Sequence, residues 1–134
     1  MGNPNKAKGD RAEAAVRDLV EEYFPESWRT RAGWDDDRGD IVLDLLGNKV
    51  LTWAIQVKDT AGVPGTPEFS ALADQIKAGA HMGGVIWHKL RGKADPRHWR
   101  VMMTGEQYIA LMVRMRLLEN HLEGVGSDGD LYRG

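Results

Sequence analysis

The chain has 134 residues, 42% hydrophobic and 28% charged, which is enough for one compact domain with its own core and too little for two. Cysteine is absent, so disulfides, thiolate metal sites and cysteine nucleophiles are excluded, and any metal must be held by oxygen or imidazole. A formal net charge of -2 argues against a general basic coat but leaves room for local basic patches.

No run approaches the roughly 20 apolar residues needed to span a bilayer. The first residues, Met1 to Asp10, are polar and do not resemble a secretory signal. The expectation is a cytoplasmic protein with no membrane contact, formed by one domain over residues 6–122 and a flexible Gly/Asp-rich tail over 123–134.

Ala12, Ala15, Val16, Leu19, Val20, Tyr23 and Phe24 recur at helical spacing and Pro25 stops the pattern, which predicts a first helix from about Lys8 to Phe24. Glu13 lies beside Val20 at the edge of that apolar stripe and is expected to be half-buried. The acidic run Asp35-Asp36-Asp37 reads as a solvated turn.

Residues 41–58 read as two strands around Gly47-Asn48, with Ile41, Leu43 and Leu45 alternating on one and Leu51, Trp53, Ile55 and Val57 on the other. Side chains alternate faces along a strand, so both apolar sets reach one core only if paired residue numbers sum to an even value, as for Leu43 opposite Trp53. A two-residue turn would break that parity, and a three-residue turn or a bulge is expected, with Leu46 opposite Val50. The same ladder sets Asp40 opposite Gln56, at about the 5 Å Cβ spacing of cross-strand neighbours. Their shared face also carries Asp44, Thr52, Ala54 and Lys58.

Thr66-Pro67 predicts the cap and first turn of a second helix, with Phe69, Leu72, Ile76 and Ala80 buried and Gly83-Gly84 as its stop. A strand over Val85, Ile86 and Trp87 follows, then a charged loop and a strand from His98 to Met103. Thr104-Gly105-Glu106-Gln107 is a capping-box pattern, opening a last helix with Tyr108, Leu111, Met112, Met115 and Leu118 inward. This order predicts an α/β fold with a mixed central sheet flanked by helices.

Hydrolysis of a phosphodiester needs a hydroxide at neutral pH and neutralisation of charge on the transition state, both of which magnesium supplies. Magnesium takes oxygen ligands and keeps several waters, so one or two carboxylates with a carbonyl oxygen suffice. Asp40 offers the carboxylate and Gln56 the carbonyl. Lys58 stands two residues further along the same face to orient water or hold phosphate charge, and Glu13 can complete the set directly or through water. The four histidines, His81, His88, His98 and His121, show no ligand spacing on a common helix face, although His88 and His98 can reach DNA.

These residues resemble the PD-(D/E)XK nuclease superfamily. The correspondence lies in Asp40 within Arg38-Gly39-Asp40-Ile41-Val42, in Gln56-Val57-Lys58, and in Glu13 within Gly9-Asp10-Arg11-Ala12-Glu13, and it spans about Lys8 to Met115. The helix motif is similar to that of archaeal Holliday-junction resolvases. Gln56 departs from the usual acid and resembles the Gln-x-Lys version of Mrr-type nucleases. The resemblance implies a restriction-endonuclease-like αβββαβ core and a metal-dependent DNA endonuclease acting on branched DNA in recombination or repair. It assigns magnesium, or manganese, to Glu13, Asp40 and Gln56, and catalytic assistance to Lys58. It further implies a homodimer, since a four-way junction takes two symmetric cuts. Lys6, Lys8, Arg11, Arg29 and Arg31, with Arg91 and Lys93, are the candidate phosphate contacts. An Mrr-like nuclease of duplex DNA and a non-catalytic DNA-binding module of the same fold are the alternatives.

Overall fold

The computed structural model describes residues 4–29 and 40–127. The elements run α1 (Pro4–Tyr23), β1 (Trp28–Arg29), β2 (Asp40–Asp44), β3 (Thr52–Lys58), α2 (Thr66–Ala78), β4 (Gly83–His88), a 3-10 turn (Pro96–His98), β5 (Arg100–Met102) and α3 (Gly105–Ser127). Two compact units hold them: Met1–Met103, with everything through β5, and Thr104–Gly134, with α3. Among the described residues no helix is long and apolar enough to cross a membrane.

The first unit is α/β, with an open mixed sheet in the order β1-β2-β3-β4-β5. Only β3 and β4 are parallel, and every other neighbouring pair is antiparallel. Strand alternation gives the sheet two faces. Ile41, Ile55 and Val85 pack with Ala12, Val16 and Val20 of α1 on one. Ala54 and Ile86 pack with Leu72 of α2 on the other. Each of the Val, Ile and Leu side chains among them contributes about 1.5–3 kcal/mol through removal from water.

Helix α1 begins earlier than expected, at Pro4, because proline costs little in a first turn whose N–H groups have no helical partner. Glu13 is more deeply set than the helical wheel suggests, at 1% exposure, whereas Tyr23, expected in the core stripe, is exposed.

The β2–β3 ladder has the anticipated parity, with Leu43 opposite Trp53 and Asp40 opposite Gln56. Its closing segment is wider than expected. The last pair is Asp44 with Thr52, followed by a bond from the Leu45 amide to the Leu51 carbonyl, and Leu46 and Val50 are exposed instead of paired. The buried Asp44 carboxylate gathers the loop, accepting from the amides of Gly47 at 3.0 Å and Lys49 at 2.9 Å. Gly47 and Lys49 both take positive φ, 76° and 62°, which turns those amides inward.

Two glycines have a different task from the one the sequence suggests. Gly83 and Gly84 lie within β4, and α2 has already ended at Ala78, with Gly79 as its cap. A Cβ on Gly83 would stand 2.8 Å from the Trp53 ring, and one on Gly84 would stand 2.8 Å from Leu72 Cδ1 and 3.0 Å from the Ala54 carbonyl. They are small so that Trp53 and α2 can approach the sheet. The cap of α2 also shifts from Thr66 to Gly65, whose amide donates to the Glu68 carboxylate at 2.6 Å.

In the second unit the Thr104 hydroxyl accepts from the Gln107 amide at 3.2 Å, as the capping pattern predicts. Helix α3 continues through Gly124 to Ser127. Its expected inward stripe is largely exposed: Tyr108, Met115 and Leu118 are open, and Leu111 and Met112 are half-buried. Ile109, Val113 and Leu117 add exposed apolar groups along a second line, so one-sided burial is not built into this helix.

Candidate metal centre

The open end of the β2–β3 hairpin, away from the 45–51 loop, brings the proposed ligands together through backbone register. Asp40 is the first residue of β2 and its Cα partner is Gln56. Alternation sets Gln56 and Lys58, two residues apart on β3, on the α2 side of the sheet. The side chain of Asp40 lies outside the described residues, as do those of Lys6 and Arg29 and the whole of residues 30–39, including Arg31.

Gln56 is 6% exposed. Its Nε2 donates to Oε1 of Gln75 on α2 at 2.7 Å. Among the described residues its own Oε1 is buried without a hydrogen-bond partner. A buried acceptor left unpaired costs about 1–3 kcal/mol, and such groups are few in folded proteins. A neutral amide oxygen held out of water and unengaged by protein is a suitable donor for a hard cation.

Lys58 is half-buried and lines a cleft of about 330 Å³ with Thr60, Gly62, Val63, Pro64 and Glu68. Among the described residues it forms no ion pair, and the Glu68 carboxylate in the same cleft is engaged by the Gly65 amide.

Glu13 reaches the sheet from α1, which covers the opposite face from Gln56. Gln56 and Lys58 thus share one face of the sheet, Asp40 is the Cα partner of Gln56, and Glu13 comes from the helix on the other face. Among the described residues there is no group of three or more His, Cys, Asp or Glu side chains that could hold a metal. The arrangement relies on an amide oxygen in place of a carboxylate.

Residues outside the sequence-based catalytic and metal set adjoin the site. His88 is the Cα partner of Lys58 across the parallel β3–β4 pair and is buried. Its Nε2 lies 2.8 Å from the Thr60 carbonyl, which can only accept, so Nε2 donates, and among the described residues the buried Nδ1 has no hydrogen-bond partner. Asp59 follows Lys58 and holds two ammonium groups, Lys8 at 3.4 Å and Lys89 at 3.7 Å. Those three residues, with Thr60, Arg91 and Gly92, line a second cleft of about 240 Å³. Three cations around one carboxylate leave it electropositive, and Thr60 borders both clefts. Of the other candidate phosphate contacts, Arg11 and Lys93 are exposed. Alternation along β4 can be read locally, but the pairing of β4 with β3 depends on α2, and so Lys58 does not appear in the sequence as a neighbour of His88 and Lys89.

No family model matches this chain, and neither do any curated protein or solved structure with which it was compared.

Proposed function

We propose that this protein is a magnesium-dependent endodeoxyribonuclease of the PD-(D/E)XK kind, able to use manganese, and that it acts on branched DNA as Holliday-junction resolvases do. The succession of α1, three strands, α2 and β4 supports a restriction-endonuclease-like αβββαβ core. The observation that carries the reading is the buried, unpartnered Oε1 of Gln56 directly across the ladder from Asp40. Asp40 and Gln56 would hold the ion with water in its remaining positions, and Glu13, which comes from the helix on the other face, is left out of the set. When bound, magnesium supplies Lewis acidity and a hydroxide source at neutral pH.

Lys58 contributes a fixed positive charge at the reacting phosphate, beside the ligands and in a half-buried cleft where a charge acts more strongly than in water. The Lys8, Lys89 and Arg91 cleft receives a neighbouring phosphate of the same strand. A two-fold substrate calls for a homodimer, and the exposed apolar groups of α3 offer surface for one. A DNA substrate implies a cytoplasmic location.

The test is magnesium-dependent cleavage of a synthetic four-way junction. Wild type is expected to cut and Lys58→Ala to be about 100- to 1,000-fold slower. If wild type cuts no branched, duplex or single-stranded DNA, and Asp40→Ala behaves identically, the proposal fails. The neutral ligand at Gln56 also favours a second reading, an Mrr-like nuclease of duplex DNA. Linear and methylated duplexes beside junctions and flaps separate the two. DNA binding without turnover on every substrate would instead identify a non-catalytic module.

A further inference from the structure

Glutamine has a difficulty as a metal ligand that glutamate does not. Rotation about its last side-chain bond exchanges oxygen with nitrogen, and an amide –NH2 presents hydrogens rather than a lone pair to a cation. A site built on glutamine therefore needs something to fix which atom faces the ion. We infer that Gln75 of α2 is a positioning residue for the metal centre, holding the Gln56 amide so that Oε1, and not Nε2, is presented as ligand.

This inference rests on reading Gln56 as a ligand. Gln75 Oε1 accepts from Gln56 Nε2 at 2.7 Å. With the nitrogen so engaged, the oxygen is the terminal atom left buried and without a hydrogen-bond partner. Turning the Gln56 amide over would set two carbonyl oxygens against each other at that distance. The acceptor sits on a well-packed element, since Leu72 and Ile76 of the same helix press onto Gly84 of β4. Partners that orient a ligand in this way typically govern metal affinity by about 10- to 100-fold.

The experiment is titration calorimetry of the full chain with magnesium and with manganese, on wild type and four variants. Gln75→Met removes the acceptor while keeping an unbranched, helix-compatible side chain, and is expected to weaken binding by about 10- to 100-fold. Gln75→Glu retains an acceptor that cannot donate to Gln56, and is expected to bind at least as tightly as wild type. In Gln56→Glu both terminal atoms are oxygen and no orientation is needed, so adding Gln75→Met is expected to change affinity by less than about threefold. Circular dichroism checks that each variant is folded.

Equal affinity for wild type and Gln75→Met overturns the inference while leaving the metal centre standing. An equal loss in the Gln56→Glu background does so too, because it marks a general structural role. If neither wild type nor Gln56→Glu binds either ion, the metal reading fails and the inference falls with it.

Discussion

The two ends of the β2–β3 hairpin carry buried polar side chains on the same face of the sheet, and they differ in how those groups are satisfied. At the loop end, Asp44 is 1% exposed and spends its carboxylate on the amides of Gly47 and Lys49. At the open end, Gln56 is 6% exposed and only its nitrogen is engaged. Burial alone does not distinguish them. Satisfaction does: a buried acceptor whose bonds close on nearby backbone holds the fold, whereas one left with an open position calls for a partner, which the proposed metal would supply.

The sharpest way to break this comparison is to remove each group in turn. Asp44→Ala strips two charge-assisted bonds from a loop with two positive-φ residues and is expected to cost about 2–3 kcal/mol in urea unfolding. Magnesium affinity per folded molecule should be unchanged. Gln56→Leu removes an unpaired oxygen along with one hydrogen bond, and its stability should stay within about 1 kcal/mol of wild type, while the calorimetric response to magnesium is lost. A stability loss at Gln56 as large as that at Asp44 would make both ends structural.

A somewhat smaller effect tests the element that engages Gln56. In Gly84→Ala the new methyl meets Leu72 Cδ1 at 2.8 Å and the Ala54 carbonyl at 3.0 Å, and overpacking of this kind costs about 1–3 kcal/mol. A neutral or stabilising result in thermal unfolding would show that α2 does not pack onto β4 through this contact.

The smallest expected effect lies at the loop end and depends on pH. Burial lowers the pKa of His81 below its ordinary 6.5, and its Nδ1 lies 2.7 Å from the hydroxyl of Thr52, the residue paired with Asp44. The unfolded chain then binds the proton more tightly than the folded one. The stability tied to neutral His81 is full above about 6.5 and is lost as pH falls toward the lowered folded-state value. His81→Gln should be less pH-sensitive than wild type between those values, read as the change in urea midpoint. An identical pH slope for the two proteins removes the link.

Much of the site was legible because it follows from parity. Apolar residues at Ile41, Leu43, Trp53 and Ile55 face one core, and that requirement sets Asp40 opposite Gln56 without reference to any other element. The loop was not legible. Its width is decided by the Asp44 side chain bonding backbone amides, a contact that hydrophobic patterning does not register. The glycine pair misled for a related reason, since glycine ends helices and also admits close neighbours, and only the position of α2 over Gly84 tells which task applies.

The sequence by itself therefore determined the α/β order of elements, the parity of the hairpin that pairs Asp40 with Gln56, and the polar face on which Gln56 and Lys58 stand, because strand alternation is local covalent geometry. The tertiary structure decided what that face meets. It brought Gln75 to the Gln56 amide, His88 beside Lys58, and Lys8 and Lys89 onto Asp59. Those contacts join segments far apart in the chain, and their register depends on how α1, α2 and β4 pack on the sheet, which no local pattern records.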